Sequence, residues 1–128
     1  MKILLDTHTL IWFSQNSNKL SRTAKYLLND KTNQLFLSVV SVWEMQIKIQ
    51  QGKLRLDLPL PEIIENQVKY NDLQILTIAL EDIWTLGTLG NYHKDPFDRW
   101  IISQSLARQL PLLSIDEVFD AYNIERLW

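Results

Sequence analysis

Four short apolar runs punctuate this chain at wide intervals: KILL at residues 2–5, QLFL at 34–37, DLQIL at 72–76 and LPLLS at 110–114. Each has the length of a buried strand, and most of the chain between them carries the three-and-four spacing of amphipathic helices. The predicted helices are THTLIWFSQ after Asp6, residues 21–29 with Ser21 as N-cap, roughly 39–51 closed by Gly52, and a segment around 61–70. IALEDIWTLGTL at 78–89 and PFDRWIISQSLARQ at 96–109 complete the set. KLRLDLPLP at 53–61 reads as extended, with alternating apolar positions, and NIERLW at 123–128 as a short fifth strand. Strands alternating with helices specify an α/β fold whose parallel sheet is covered on both faces. The expected arrangement is one domain over residues 1–128, a length that buries a real core without splitting. In such a sheet, ligands collect at the carboxyl ends of strands where the strand order switches.

Two aspartates stand at that edge: Asp6 directly after KILL, and Asp116 after LPLLS. Asp6 suits two roles equally when taken alone, capping the helix that starts near Thr7 or serving a site, and its place after a buried strand favours the site. Thr7 and Thr9 suit backbone bonds better than contact with a metal-held water. Asp116 can open a turn through Glu117 and Val118, with Ser114 two residues before it to orient it. Glu44 completes a possible S-x-x-E capping box with Ser41, and Lys48 lies four residues on for an ion pair. A helix start near Ser38 instead puts Glu44 in the second turn, beside a stripe of Val40, Trp43 and Ile47. Asp95 followed by Pro96 is a helix start, so Asp95 is read as the cap. Asp98 shares the inward face of Ile101, Ile102, Ser105 and Leu106, which favours a site over a simple dipole role.

Carboxylates gathered without cations are driven towards protonation and destabilise the fold, a conflict that Mg²⁺ or Mn²⁺ relieves. Such ions also serve phosphodiester hydrolysis without a separate histidine base. Zinc is disfavoured, since the chain has no cysteine and only His8 and His93, far apart in sequence. With glycine only at positions 52, 87 and 90, there is no glycine-rich phosphate loop. His8 is read as structural. Tyr92, His93 and Lys94 form a loop that is solvated by default and offers RNA stacking and charge as the lesser reading. Lys48, Lys53 and Arg55 form a modest basic strip, again solvated by default.

A net charge of −2 gives no sign of a non-specific nucleic-acid binder, yet leaves room for a nuclease whose cations carry the positive charge. The absence of cysteine suits a reducing compartment, and MKILLD enters a strand with no leader-like apolar stretch. No run approaches the ~20 apolar residues of a membrane helix. A cytoplasmic protein is expected. Five tryptophans are many for 128 residues; some belong to the core, and the surplus hints at an apolar surface for another chain.

The chain resembles the PIN-domain family, and within it the VapC-like toxins of toxin–antitoxin pairs. LLDTHTLIW, LSVVSVWEMQIKIQQGKL, HKDPFDRWIISQSLA and LPLLSIDEVFDAYNIERLW carry the resemblance. It implies a three-layer α/β/α sandwich, and acids at Asp6, Glu44, Asp98 and Asp116 that bind Mg²⁺ or Mn²⁺ and hydrolyse RNA. It matches Ser114 to the Ser or Thr that precedes the last acid by two positions, and Thr7 beside Asp6 is taken as a supporting residue as well. It further implies a small antitoxin partner and homodimers or toxin–antitoxin hetero-oligomers. The other readings are a PIN nuclease for RNA processing or DNA, a binding-only module using the aromatic surface, and a receiver-like phosphoacceptor. The last lacks the paired acids after the first strand and the late lysine it would require.

Overall fold

The computed structural model describes all 128 residues. Strand β1 (Lys2–Leu5) leads into α1 (Thr7–Ser14) and α2 (Arg22–Asn29), then β2 (Gln34–Ser38) into α3 (Val39–Gln50) and α4 (Leu60–Asn71). The second half runs β3 (Gln74–Leu76), α5 (Leu80–Leu86), α6 (Pro96–Arg108), β4 (Leu112–Leu113), a 3₁₀ turn (Glu117–Ala121) and β5 (Arg126–Leu127). The five strands form one sheet in the order β3-β2-β1-β4-β5, every neighbouring pair parallel. The order reverses at β1, because the chain first builds outward through β2 and β3 and then returns to add β4 and β5 on the other side.

Strand alternation divides the core into two layers. Ile3, Leu5, Leu35, Leu37 and Leu113 face one way, against Leu10 and Ile11 of α1, Ala24 and Leu28 of α2, Met45 of α3 and Leu60 of α4. Leu4, Phe36 and Leu112 face the other, against Ile101 and Ile102 of α6 and Phe119 of the 3₁₀ turn. The result is the expected three-layer α/β/α sandwich. Ile3, Leu4 and Leu5 are wholly buried, each contributing roughly 1.5–3 kcal/mol of apolar burial. No helix is long and apolar enough to cross a membrane.

Several boundaries differ from the sequence reading for local reasons. Residues 53–61 pair with no strand; Leu54 and Leu56 simply pack against the first core layer. β3 begins only at Gln74, since Asp72 ends α4 in the left-handed conformation and the Leu73 N–H is still bonded to the Gln67 carbonyl. α5 is shorter than 78–89: the Asp82 carboxylate accepts the Ala79 N–H at 3.0 Å and fixes the start, and the helix stops at Leu86 before Gly87. Leu106 is half-buried rather than buried.

Asp82 is fully buried where α5 meets α6. Arg108 grips it through Nε at 3.1 Å and Nη2 at 2.9 Å, and Gln104 adds an amide N–H at 3.2 Å. Ser103 donates to the Asp82 carbonyl. Burial alone would raise the Asp82 carboxyl, but the hydrogen bonds from Arg108, Ala79 and Gln104 hold it below its ordinary value. Removing one partner of such a pair leaves an uncompensated charge. Arg108→Ala is expected to cost about 3 kcal/mol in urea unfolding. A loss under about 1 kcal/mol would mean the pair behaves as an ordinary surface contact.

Candidate functional site

Asp6 emerges from β1 into the crevice between β1 and β4, where the strand order reverses. It is buried and does both things its position allows. One carboxylate oxygen caps α1 by accepting the Thr7 N–H at 2.8 Å, and the other accepts the Ser114 hydroxyl at 2.7 Å. Ser114, at the end of β4, in turn accepts the Asp116 N–H at 3.1 Å, so one hydroxyl links both strand-end aspartates.

Glu44 is only 3% exposed. Ser38 is the N-cap of α3, accepting the Val40 N–H, and the buried Ser41 hydroxyl has no partner, so no capping box forms. Glu44 sits on the buried face of α3 with Val40, Ser41 and Met45, whereas Trp43 points out at 60% exposure. The apolar stripe expected to include Trp43 therefore runs one position away from it. The Thr7 hydroxyl donates to Glu44 Oε1 at 2.8 Å, and Lys48 Nζ donates to Oε2 at 2.7 Å. The lysine pair is thus real but belongs to the crevice. Thr7 thus supports the crevice through its side chain, while Thr9 takes the backbone bond expected of it, to the Leu113 carbonyl.

Asp98 is positioned by the start of α6. Asp95 accepts the N–H groups of Phe97 and Asp98 at 2.8 and 3.1 Å, the cap read from the sequence. Trp100 Nε1 donates to Ser38 at 3.1 Å and fastens this helix end beside β2. Burial and the negative charges of Asp6 and Asp95 push the Asp98 carboxyl up to about 7, against the pull of His93; Glu44 adds to the rise. Asp6 is also raised, by burial first, with the Ser114 hydrogen bond opposing it.

His93 departs from the solvated default read for its loop. It is half-buried, its ring stacked on Phe119, with Nε2 3.0 Å from Asp116 Oδ2 and 3.1 Å from Asp98 Oδ2. The remaining Asp116 oxygen accepts the Val118 N–H at 3.0 Å, so the turn-forming role holds as well. Tyr92 and Lys94 are exposed at the rim, and His8 is exposed beside Trp12. Asp95 and Asp98 lie close to His93 in sequence, but Asp116, which also faces its Nε2, is 23 residues away.

Oxygen donors dominate the crevice, and its one lysine is engaged by Glu44. Two of its carboxyls are held above their ordinary range, by burial first and by neighbouring negative charge second. That donor set fits a hard divalent cation. Ligand atoms of His93, Asp98 and Asp116 lie within 4.8 Å of one another.

The family model described as the PIN domain matches residues 3–125. No curated protein matches the chain in sequence. Among solved structures, a chain of VapBC2 from Rickettsia felis bound to a promoter DNA fragment is similar, at 17% identity and TM-score 0.75, covering 99% of this chain and 98% of that one. VapBC-1 from nontypeable Haemophilus influenzae is similar at 18% identity and TM-score 0.68, covering 99% and 97%. FitAcB from Neisseria gonorrhoeae gives 15% identity and TM-score 0.68, covering 98% and 96%.

The Asp98 shift has a stability signature. Its folded value of about 7 exceeds the ordinary 3.8, so the folded state binds the proton more tightly than the unfolded state. On this account stability is highest below the unfolded value, falls as pH rises between the two values, and levels off above the folded one. In chelator-treated protein, the melting temperature should fall between about pH 4 and about pH 7, and Asp98→Asn should remove much of that fall. Equal pH slopes in the two proteins would contradict the origin assigned to the shift.

Proposed function

The chain belongs to the PIN-domain family, whose members are nucleases, and from that premise we propose that it is a divalent-metal-dependent endoribonuclease. We assign it as the toxin of a toxin–antitoxin pair acting in the cytoplasm. The observation that carries this reading is the meeting of Asp6, Glu44, Asp98 and Asp116 in one hydrogen-bonded crevice, with Asp98 pushed up to about 7 by burial and by its acidic neighbours.

Asp6, Asp98, Glu44 and Asp116 would hold Mg²⁺ or Mn²⁺. When bound, such an ion supplies Lewis acidity towards a phosphodiester and eases deprotonation of the attacking water. The chain's own residues do the arranging. Ser114 orients Asp6, Thr7 orients Glu44, and Lys48 neutralises the far Glu44 oxygen. At the rim, exposed Tyr92 and Lys94 offer a base-stacking ring and a phosphate contact to a single strand.

The partner assignment draws on two supports. Similar chains come from structures described as VapBC and as a toxin–antitoxin complex, one of them bound to promoter DNA. Trp43 and Trp84 are 60% and 66% exposed, with Val39, Ile78, Leu80 and Ile83 also open to solvent. Two apolar grooves share Trp43, one lined by Ile78, Ile83 and Phe97, the other by Leu60 and Ile64. Apolar surface of this kind suits burial against an antitoxin or a second copy.

Asp6→Asn and Asp98→Asn are expected to abolish RNA cleavage by purified protein and growth arrest on induction, with circular dichroism unchanged. New RNA 5′ ends should appear with wild type and not with either variant. Full activity in a folded variant, or cleavage of DNA alone, would overturn the assignment.

A further inference from the structure

His93 is one residue the proposed reaction leaves without a task, although it touches two of the acids. Its Nδ1 accepts the Asp95 N–H at 3.3 Å. An acceptor at Nδ1 puts the ring proton on Nε2, the nitrogen beside the acids. Nε2–H therefore donates to Asp116 Oδ2 at 3.0 Å, and lies 3.1 Å from Asp98 Oδ2. A metal-ligating histidine has the opposite polarity: its lone pair faces the ion, and its other N–H is donated outward to an acceptor. Here the outward neighbour is itself a donor. The geometry sets His93 up as a hydrogen-bond donor rather than as a ligand.

The loop that carries it is braced on each side. The His93 N–H donates to the Tyr122 hydroxyl at 2.8 Å, and the Arg99 guanidinium donates to the His93 carbonyl at 3.3 Å. The Tyr122 hydroxyl donates onward to the Gly90 carbonyl at 2.9 Å. The imidazole lies on Phe119 with ring centroids 5.5 Å apart and 28° between planes. Phe119 is itself wholly buried in the second core layer. The donor is thus fixed in position before anything binds.

Both acids need such a donor. Asp116 has committed Oδ1 to the Val118 N–H, which leaves Oδ2 to face the crevice. Asp98 has no other side-chain partner for its carboxylate. We propose that His93 is a positioning residue that sets the Asp98 and Asp116 carboxylates side by side, and so tunes divalent-cation affinity without ligating the ion. The proposal rests on the metal-site reading given above.

The test is calorimetric titration of the full chain with Mn²⁺ alone, comparing wild type, His93→Ala and His93→Gln, with electron spin echo spectroscopy of the Mn²⁺-loaded wild type. Alanine should weaken Mn²⁺ binding by about ten- to a hundredfold. Glutamine, whose side-chain N–H can donate from nearly the same place, should restore most of it. The spin echo spectrum should lack the coupling of a directly bound ¹⁴N. Such a coupling would make His93 a ligand and overturn the proposal. Unchanged affinity in the alanine variant would overturn it too, as would equal losses in both variants, which would reduce His93 to packing on Phe119. Failure of wild type to bind Mn²⁺ would sink the metal-site reading itself, which separates the two failures. If the alanine variant does not fold, the glutamine variant and the wild-type spectrum still decide.

Discussion

The burial of several carboxylates close together at one sheet edge is the constraint around which the rest of the structure is arranged. Four acids from β1, α3, α6 and the loop after β4 converge, each with a neighbouring group on hand: Ser114 and the Thr7 N–H for Asp6, Thr7 and Lys48 for Glu44, and His93 for Asp98 and Asp116. These contacts orient the acids without cancelling their charge, since Asp6 and Asp98 stay above their ordinary values. The fold therefore holds its stability in reserve elsewhere, in the wholly buried β1 and in the two core layers it divides.

The buried Asp82–Arg108 pair is the contrasting solution to the same problem. There a carboxylate is just as deeply placed, but a guanidinium, an amide and a backbone N–H satisfy it, and its value falls rather than rises. One acid is neutralised internally and locks α5 to α6. In the crevice Lys48 meets Glu44 alone, while Asp6 and Asp98 have no such cation and rise, and that contrast is what makes the crevice the candidate site.

Much of this was legible in the sequence, for reasons that differ between residues. Strand runs and helix periodicity are local, so β1, β2, α2, α3 and α6 fall close to their predicted limits, with Ser21 and Asp95 as caps. Of residues 53–61, read as extended, Leu60 and Pro61 open α4 and the rest join no strand, with Leu54 and Leu56 packed on the first core layer, since apolar spacing alone cannot make a sheet edge. Trp43 was placed on the wrong side of α3 because tryptophan is usually more buried than glutamate, an ordering that a charged site inverts. His93 lies in a polar loop just before Asp95 and Asp98, where a solvated reading is the default. Its identity depends on the pairing of β4 with β1 and on Tyr122 drawing the loop inward, both long-range events.

The bond from Ser114 to Asp6 joins residues 108 positions apart, and the Thr9 bond to Leu113 spans 104. Contacts of that span close last, since their loop-closure entropy is offset only when β4 adds to a sheet already formed by β1 and β2. During synthesis, a ribosome-bound chain can bury β1 against β2 and shape the first core layer long before residues 110–128 emerge. It has no Ser114, Asp116 or Phe119 at that stage, and Asp6 has no partner across the crevice. The acidic centre is thus completed only once the segment from residue 110 onward has emerged, and a chain cut before it is a scaffold with an unassembled edge.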